Sequence, residues 1–288
     1  FFTACGEKTV VEEMFSEVPE GAQAVSLRGE SLYASTPYEN VQEQYEEAKS
    51  AYNADHDNAT NIIWYGRRTA YKGDYRAAVC IFSEGIHKFP EDARFYRHRG
   101  HRYISIREFD RAIKDFEKAT ALIEGKEDEI EPDGQPNAMD IPVSSLHTNI
   151  WYHFGLAYYL MPDLENALPV YRKGVAACTN DDMLVAMTHW LYMTLRMLGK
   201  EEEAVKALDS IHEDMTMIEN DVYHRLCLFY KGKLALDELI GGDDIGMERD
   251  ALAYGVGNWC FYNGQEDKAQ QIFEKILESK VWASFGYI

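Results

Sequence analysis

The chain has 288 residues, 46% hydrophobic and 27% charged, with 29 Lys+Arg against 49 Asp+Glu and a formal net charge of −20. That balance is ordinary for a folded chain with a sizeable core and excludes disorder as the default. A surface this acidic repels nucleic-acid phosphates and anionic bilayers, so binding to either in general is not expected, and no run approaches the ~18 apolar residues of a membrane span.

The chain opens Phe1-Phe2-Thr3-Ala4-Cys5-Gly6. This resembles the end of a bacterial lipoprotein signal: an apolar stretch, a small residue, then the cysteine that is acylated. The resemblance implies lipidation at Cys5, membrane contact only through that lipid, and a place in the bacterial envelope, periplasmic or outer. One acyl chain binds a bilayer only marginally. Without the anchor, the expected location is cytoplasmic. Residues 1–35 read as signal remnant and polar linker, without clear periodicity, and 36–288 as the folded part. A helix over 37–53, Tyr38 to Tyr52, is expected to cap it. The five cysteines, Cys5, Cys80, Cys178, Cys227 and Cys260, include no CxxC. Four of them fall in predicted helices as small buried hydrophobes, so neither a zinc site nor a disulfide framework is implied.

Self-similarity then appears at a fixed period. Gly66 and Gly100 are 34 residues apart, and each is followed at offsets of twelve and sixteen by a small residue and an aromatic: Ala78 and Phe82, then Ala112 and Phe116. Gly155 repeats the pattern with Ala167 and Tyr171, and Gly257 with Ala269 and Phe273. Tyr96, Trp151, Tyr103 and Tyr158 flank the glycines, and Pro90 closes the first unit. Small residues at these offsets let two helices cross closely, with aromatics filling the space beside them. Short turns at Lys72-Gly73-Asp74, Arg107-Glu108, Met161-Pro162-Asp163, Gly199-Lys200 and Asn263-Gly264 fit helix C-termini, where glycine or asparagine takes the left-handed conformation.

This arrangement resembles the tetratricopeptide repeat. The resemblance implies an all-α, right-handed superhelical solenoid of antiparallel helix pairs, with about five to six units. They fall at about 59–92, 93–124, 148–180, 185–218, 219–242 and 250–281. No strand-like alternation competes. Gly100 and Gly155 are 55 residues apart, which places an acidic insertion at 125–147, read as an ordered loop or a flap.

The resemblance also implies a concave face lined by the first helix of each pair. On each first helix the small residue faces its partner, so another stripe is left to that face. The ligand-groove candidates on it are Arg67, Tyr71, Arg94, Arg97, His101, Tyr152, Tyr159, His189, Arg196, Tyr254, Asn258 and Tyr262. From Arg67 to Lys114 the chain carries 12 Lys+Arg and 6 Asp+Glu, a basic stretch in an acidic protein. Arg99 and Arg102 lie off the stripe. Arg99 stands where the family favours Leu, so it is expected to meet an acidic partner. Ile63 and Arg67 stand where some family members clamp a peptide carboxylate with Lys and Asn, so that clamp is not expected here.

No HExxH, GxSxG, phosphate loop or dinucleotide fingerprint occurs. His98 and His101 have ligand-like spacing but no third ligand. The expectation is a non-catalytic interaction scaffold without cofactor or metal, holding a protein or extended acidic peptide. The alternatives are a glycan- or small-molecule-binding lipoprotein, or an accessory subunit of an envelope enzyme complex.

Overall fold

The computed structural model describes residues 15, 17–34, 40–240, 250–279 and 281–288, and the chain divides into two compact units, 1–128 and 129–288. The division falls inside the stretch read as an insertion. Cys5, Tyr38 and the Gly241-Gly242 pair lie outside the described residues.

The first unit corrects, at residues 17–34, the reading of 1–35 as signal remnant and linker, and the expectation that no strand competes. Strands β1 (Ala22–Val25) and β2 (Ser31–Tyr33) pair antiparallel, with a register irregularity between Ala22 and Ala24. Their turn closes on the Ser26 hydroxyl, which accepts from the Arg28 and Glu30 amides. Ala22, Ala24 and Leu32 are buried. The Gln23 side-chain oxygen accepts from the amide of Arg76 at 3.0 Å, in the first turn of helix α3 (Tyr75–Lys88), where the helix itself offers that donor no acceptor. The ring of Phe15 lies 4.4 Å from the Arg76 guanidinium. A short polar sequence shows no such pairing, because a three-residue strand is too brief for periodicity to register.

Helix α1 (Val41–Ala54) covers α2 (Ala59–Tyr71), with Tyr52 stacked on Tyr65 at 4.9 Å. The α2–α3 hairpin is followed by α4 (Ala93–Ser105) and α5 (Phe109–Ile123). Asn58, Asp74 and Asp92 cap α2, α3 and α4 through their side chains, each accepting from first-turn amides. Arg99 forks onto Asp115 across α4 and α5, the acidic partner expected of it.

In the second unit the hairpins are α6 (Leu146–Leu160) with α7 (Leu164–Ala177), and α8 (Asp181–Met197) with α9 (Glu201–Ala207). Then come α10 (Asp221–Tyr230) with α11 (Leu236–Ile240), and α12 (Asp250–Tyr262) with α13 (Glu266–Leu277). Helix α9 is only two turns long, where a full second helix to 218 was expected. The buried Asp182 carboxylate gathers the amides of Ile218, Glu219 and Asn220, so the chain after Ile211 turns to meet it. From Glu129 on, the insertion is an ordered loop. Glu131 bonds Ser144 and Asn149, and Asn180 holds the Val143 carbonyl at 2.7 Å.

The 34-residue register is realised in both units, with one refinement. The aromatic at offset sixteen sits directly over the glycine rather than beside it. A Cβ added at Gly100, Gly155 or Gly257 would stand 2.8, 2.5 or 2.6 Å from the ring of Phe116, Tyr171 or Phe273, and Gly66 meets Phe82 in the same way. Ala78, Ala112, Ala167 and Ala269 are fully enclosed beside them. Gly73, Gly199 and Gly264 take positive φ at first-helix ends, while Arg107 occupies that region at φ 66° without being glycine.

Among the cysteines, Cys178, Cys227 and Cys260 are free. Burial pushes the Cys178 thiol up to about 12, and the other two upward as well, so all three are inert small hydrophobes. Cys80, buried on α3, is disulfide-bonded, which the sequence did not lead us to expect.

Candidate functional site

In the first unit the basic stripe becomes a cluster. The Arg67 guanidinium lies 4.3 Å from the Trp64 ring, and Arg68 lies over both Trp64 and Tyr71. Arg97 donates to Nδ1 of His98 at 3.0 Å; since a guanidinium cannot accept, that nitrogen must. Arg102, set aside at first as off the stripe, stands over Tyr75 at 5.6 Å. Burial pushes the Arg102 pKa down to about 10; nearby Arg97 and Arg67 push the same way, against Tyr75 and Tyr71. The group stays charged at neutral pH, and the shift records chiefly its burial, with the neighbouring arginines adding to it.

The expected groove residues of this unit are not equally accessible. Arg67 and Arg97 are 8% and 7% exposed, so the expectation of a solvent-open stripe fails for them. Their aliphatic stems carry packing and their charge acts from beneath the surface. Tyr71, His101 and Arg102 are half-buried and reach solvent. Arg94 is held by Asp92, Nη2 to Oδ2 at 2.6 Å, and so reinforces the start of its own helix.

In the second unit most of the predicted stripe is internal. The Tyr152 hydroxyl receives Trp190 Nε1 at 2.9 Å and lies 3.0 Å from the Tyr223 hydroxyl. Tyr159 meets the Trp190 ring edge-on at 5.2 Å. His189 stacks on Tyr230 and is bonded to its hydroxyl at 3.2 Å. Tyr254 lies 6.0 Å from Trp190, and Asn258 donates to the Tyr254 carbonyl. Arg196 spans Tyr192, Asn263 and the face of Tyr262. Burial pushes the Tyr152 and Tyr159 hydroxyls well above the ordinary tyrosine value and holds His189 down at about 3, hence neutral. Tyr152, Tyr159, His189 and Asn258 are buried in an aromatic core shared by α6, α8, α10 and α12, which corrects the expectation that they line an open face, while Arg196, Tyr254 and Tyr262 are half-buried at its edge. Each aromatic buries ~150–250 Å², and that gain favours closure over a solvated stripe.

Sequence reasoning missed Arg102, Trp64, Tyr75 and the C-terminal aromatics Trp282 and Phe285. Among the described residues no group of three or more His, Cys, Asp or Glu is placed to hold a metal ion, and no helix is long and apolar enough to cross a membrane.

No family model matches the sequence, and no curated protein does. Solved structures resemble the fold. The anaphase-promoting complex hetero-tetramer Cut9–Hcn1 superposes with a TM-score of 0.52 at 11% identity over 83% of this chain and 36% of that one, so this chain spans about a third of that structure. YrrB, described as a TPR protein with an unusual peptide-binding site, gives a TM-score of 0.45 at 15% identity over 81% and 92% of the two chains. MamA gives 0.45 at 18% identity over 58% and 84%. With the helix hairpins and their glycine–aromatic crossings, the chain is an all-α helical-repeat protein of tetratricopeptide-like fold.

Proposed function

We propose that the protein is a non-catalytic interaction scaffold whose first unit holds an acidic, extended protein segment. The observation that carries this is the clustering of Arg67, Arg97 and Arg102 with Tyr71 and Tyr75, in a protein otherwise strongly acidic. Two buried guanidinium groups raise the potential under the surface, and Arg102, His101 and Tyr71 make the direct contact. A carboxylate arriving there relieves the mutual repulsion of the arginines, a gain that no neutral ligand brings. The peptide-binding site attributed to YrrB is in keeping with this reading. A glycan ligand would need open aromatic rings, and Tyr152 and Tyr159 are buried while Tyr254 and Tyr262 pack against Trp190 and Tyr192.

The test is Arg102→Glu. It places a carboxylate beside Arg67 and Arg97, so the melting temperature is expected to hold or rise. A fluorescein-labelled hexaglutamate peptide should bind the wild type in low salt, weaken as salt rises, and bind the variant at least tenfold less well. Equal binding by both proteins would overturn the reading.

A second proposal concerns place rather than partner. The Phe-Thr-Ala-Cys-Gly opening favours a lipid anchor at Cys5 and a bacterial envelope location. Expressed with a complete upstream signal, the protein should partition into detergent and Cys5→Ala should not; equal partition would reject the anchor.

A further inference from the structure

The turn that follows α4 is closed by a residue its conformation does not favour. Arg107 has φ 66°, in the left-handed region where a side chain crowds its own backbone. Its amide bonds the Ile104 carbonyl, and the next amide, of Glu108, bonds that of Tyr103. Gly73, Gly199, Gly232 and Gly264 close their first helices with the same two bonds at positive φ, so glycine is the residue this place suits. Pro162 takes it in the third hairpin, at φ 28°. Among the described residues a charged side chain holds the position only at Arg107.

That arginine brings its charge to the basic cluster. Arg107 is half-buried, and its guanidinium is steadied by donating through Nη1 to the Ser105 carbonyl. Burial pushes the Tyr75 hydroxyl upward, while Arg102 and then Arg107 draw it back, so both guanidinium groups bear on one phenol at the start of α3. The ring of Tyr75 lies 5.6 Å from Arg102. Buried Arg67 and Arg97 act on Arg102 as well. The neighbouring carboxylate, Glu108, lies 3.4 Å from Arg111.

We propose that Arg102 and Arg107 together form a phosphoryl-binding site, and that the segment held by the first unit carries a phosphorylated side chain. This rests on the acidic-segment reading and names the group at its centre. One guanidinium can satisfy a carboxylate, meeting both oxygens with parallel N–H bonds. A phosphoryl group brings three acceptor oxygens and about two negative charges, and is held by several arginines at once. A carboxylate would not require a second guanidinium at a turn where glycine sits without strain.

The experiment uses the full chain and two labelled peptides, blocked at both ends and matched at about six negative charges: hexaglutamate, and Glu-Glu-phosphoserine-Glu-Glu. Wild type should bind the phosphopeptide roughly tenfold more tightly than hexaglutamate at equal salt. Arg107→Gly supplies the residue the turn favours, so its melting temperature should hold or rise. Its preference for the phosphopeptide should fall to about twofold or less, with hexaglutamate binding changed by no more than about twofold. Equal binding of the two peptides by wild type, or an undiminished preference in Arg107→Gly, would overturn the proposal. Hexaglutamate binding in that case would leave the acidic-segment reading standing, whereas failure of both peptides would reject the two together. Inorganic phosphate that displaces hexaglutamate as well as the phosphopeptide does would mark a site for the free anion and overturn the phosphorylated segment.

Discussion

Arg99 and Asp115 are joined by a two-pronged bond between neighbouring helices, Nε to Oδ2 at 2.8 Å and Nη2 to Oδ1 at 2.7 Å, with a third guanidinium contact to the Ser83 hydroxyl at 2.9 Å. Burial pushes the Asp115 carboxyl upward, and Arg99 pulls it back toward the charged form. The pair replaces the leucine that the repeat favours before its glycine. Breaking it by Asp115→Ala leaves a buried guanidinium uncompensated and should cost about 3 kcal/mol, read from the denaturant midpoint. Replacing both partners, Arg99→Leu with Asp115→Leu, should cost less than the single change. A larger loss in the double variant would mean that the pair, rather than its desolvation, dominates.

Gly100 makes a separate prediction about packing. Gly100→Ala drives a methyl group to 2.8 Å from Phe116, so the ring or the helix must move. We expect a loss of roughly 1–3 kcal/mol. Phe116→Leu in the same chain should recover part of it, because the shorter side chain vacates that space. Additive losses in the double variant would place the strain elsewhere.

His189 should make the protein acid-labile. Its folded-state value is about 3 against an ordinary 6.5, because burial disfavours the charged ring. The unfolded chain binds a proton near pH 6.5 and the folded chain does not until near pH 3. Stability is therefore complete above about pH 6.5 and falls as the pH drops toward 3, by up to about 1.4 kcal/mol per unit. His189→Gln cannot titrate and can still meet the Tyr230 hydroxyl. Between pH 7 and pH 5 its unfolding free energy should fall less than that of wild type, by on the order of 2 kcal/mol. Parallel pH profiles would show that the ring is protonated within the fold.

The thiol count decides the state of Cys5. A sulfur is paired or acylated, never both. Cys80 is bonded while Cys178, Cys227 and Cys260 are free, so a chain without lipid should titrate three thiols in denaturant and two more, five in all, only after reduction. An acylated chain has Cys5 blocked and should titrate four thiols without reduction, Cys80 among them. Three thiols in the acylated chain would contradict this exclusion.

What the sequence determined by itself is the repeat. Gly66, Gly100, Gly155 and Gly257, each with an alanine and an aromatic at constant offsets, describe contacts within one helix hairpin, and those depend on local periodicity alone. The acidic partner of Arg99 was legible for the same reason, as a departure from the repeat at a known position. The tertiary structure decided how closely first helices approach one another. Tyr152, His189 and Tyr254 are far apart in sequence, and no periodic rule distinguishes a stripe facing solvent from one facing another stripe. The fold buried them because aromatic area gains more from mutual contact than from water. It likewise brought Phe285 to Tyr152 and Gln23 to the start of α3. Each of these is a single contact between chain segments with no repeat of their own, so nothing in their spacing could announce it.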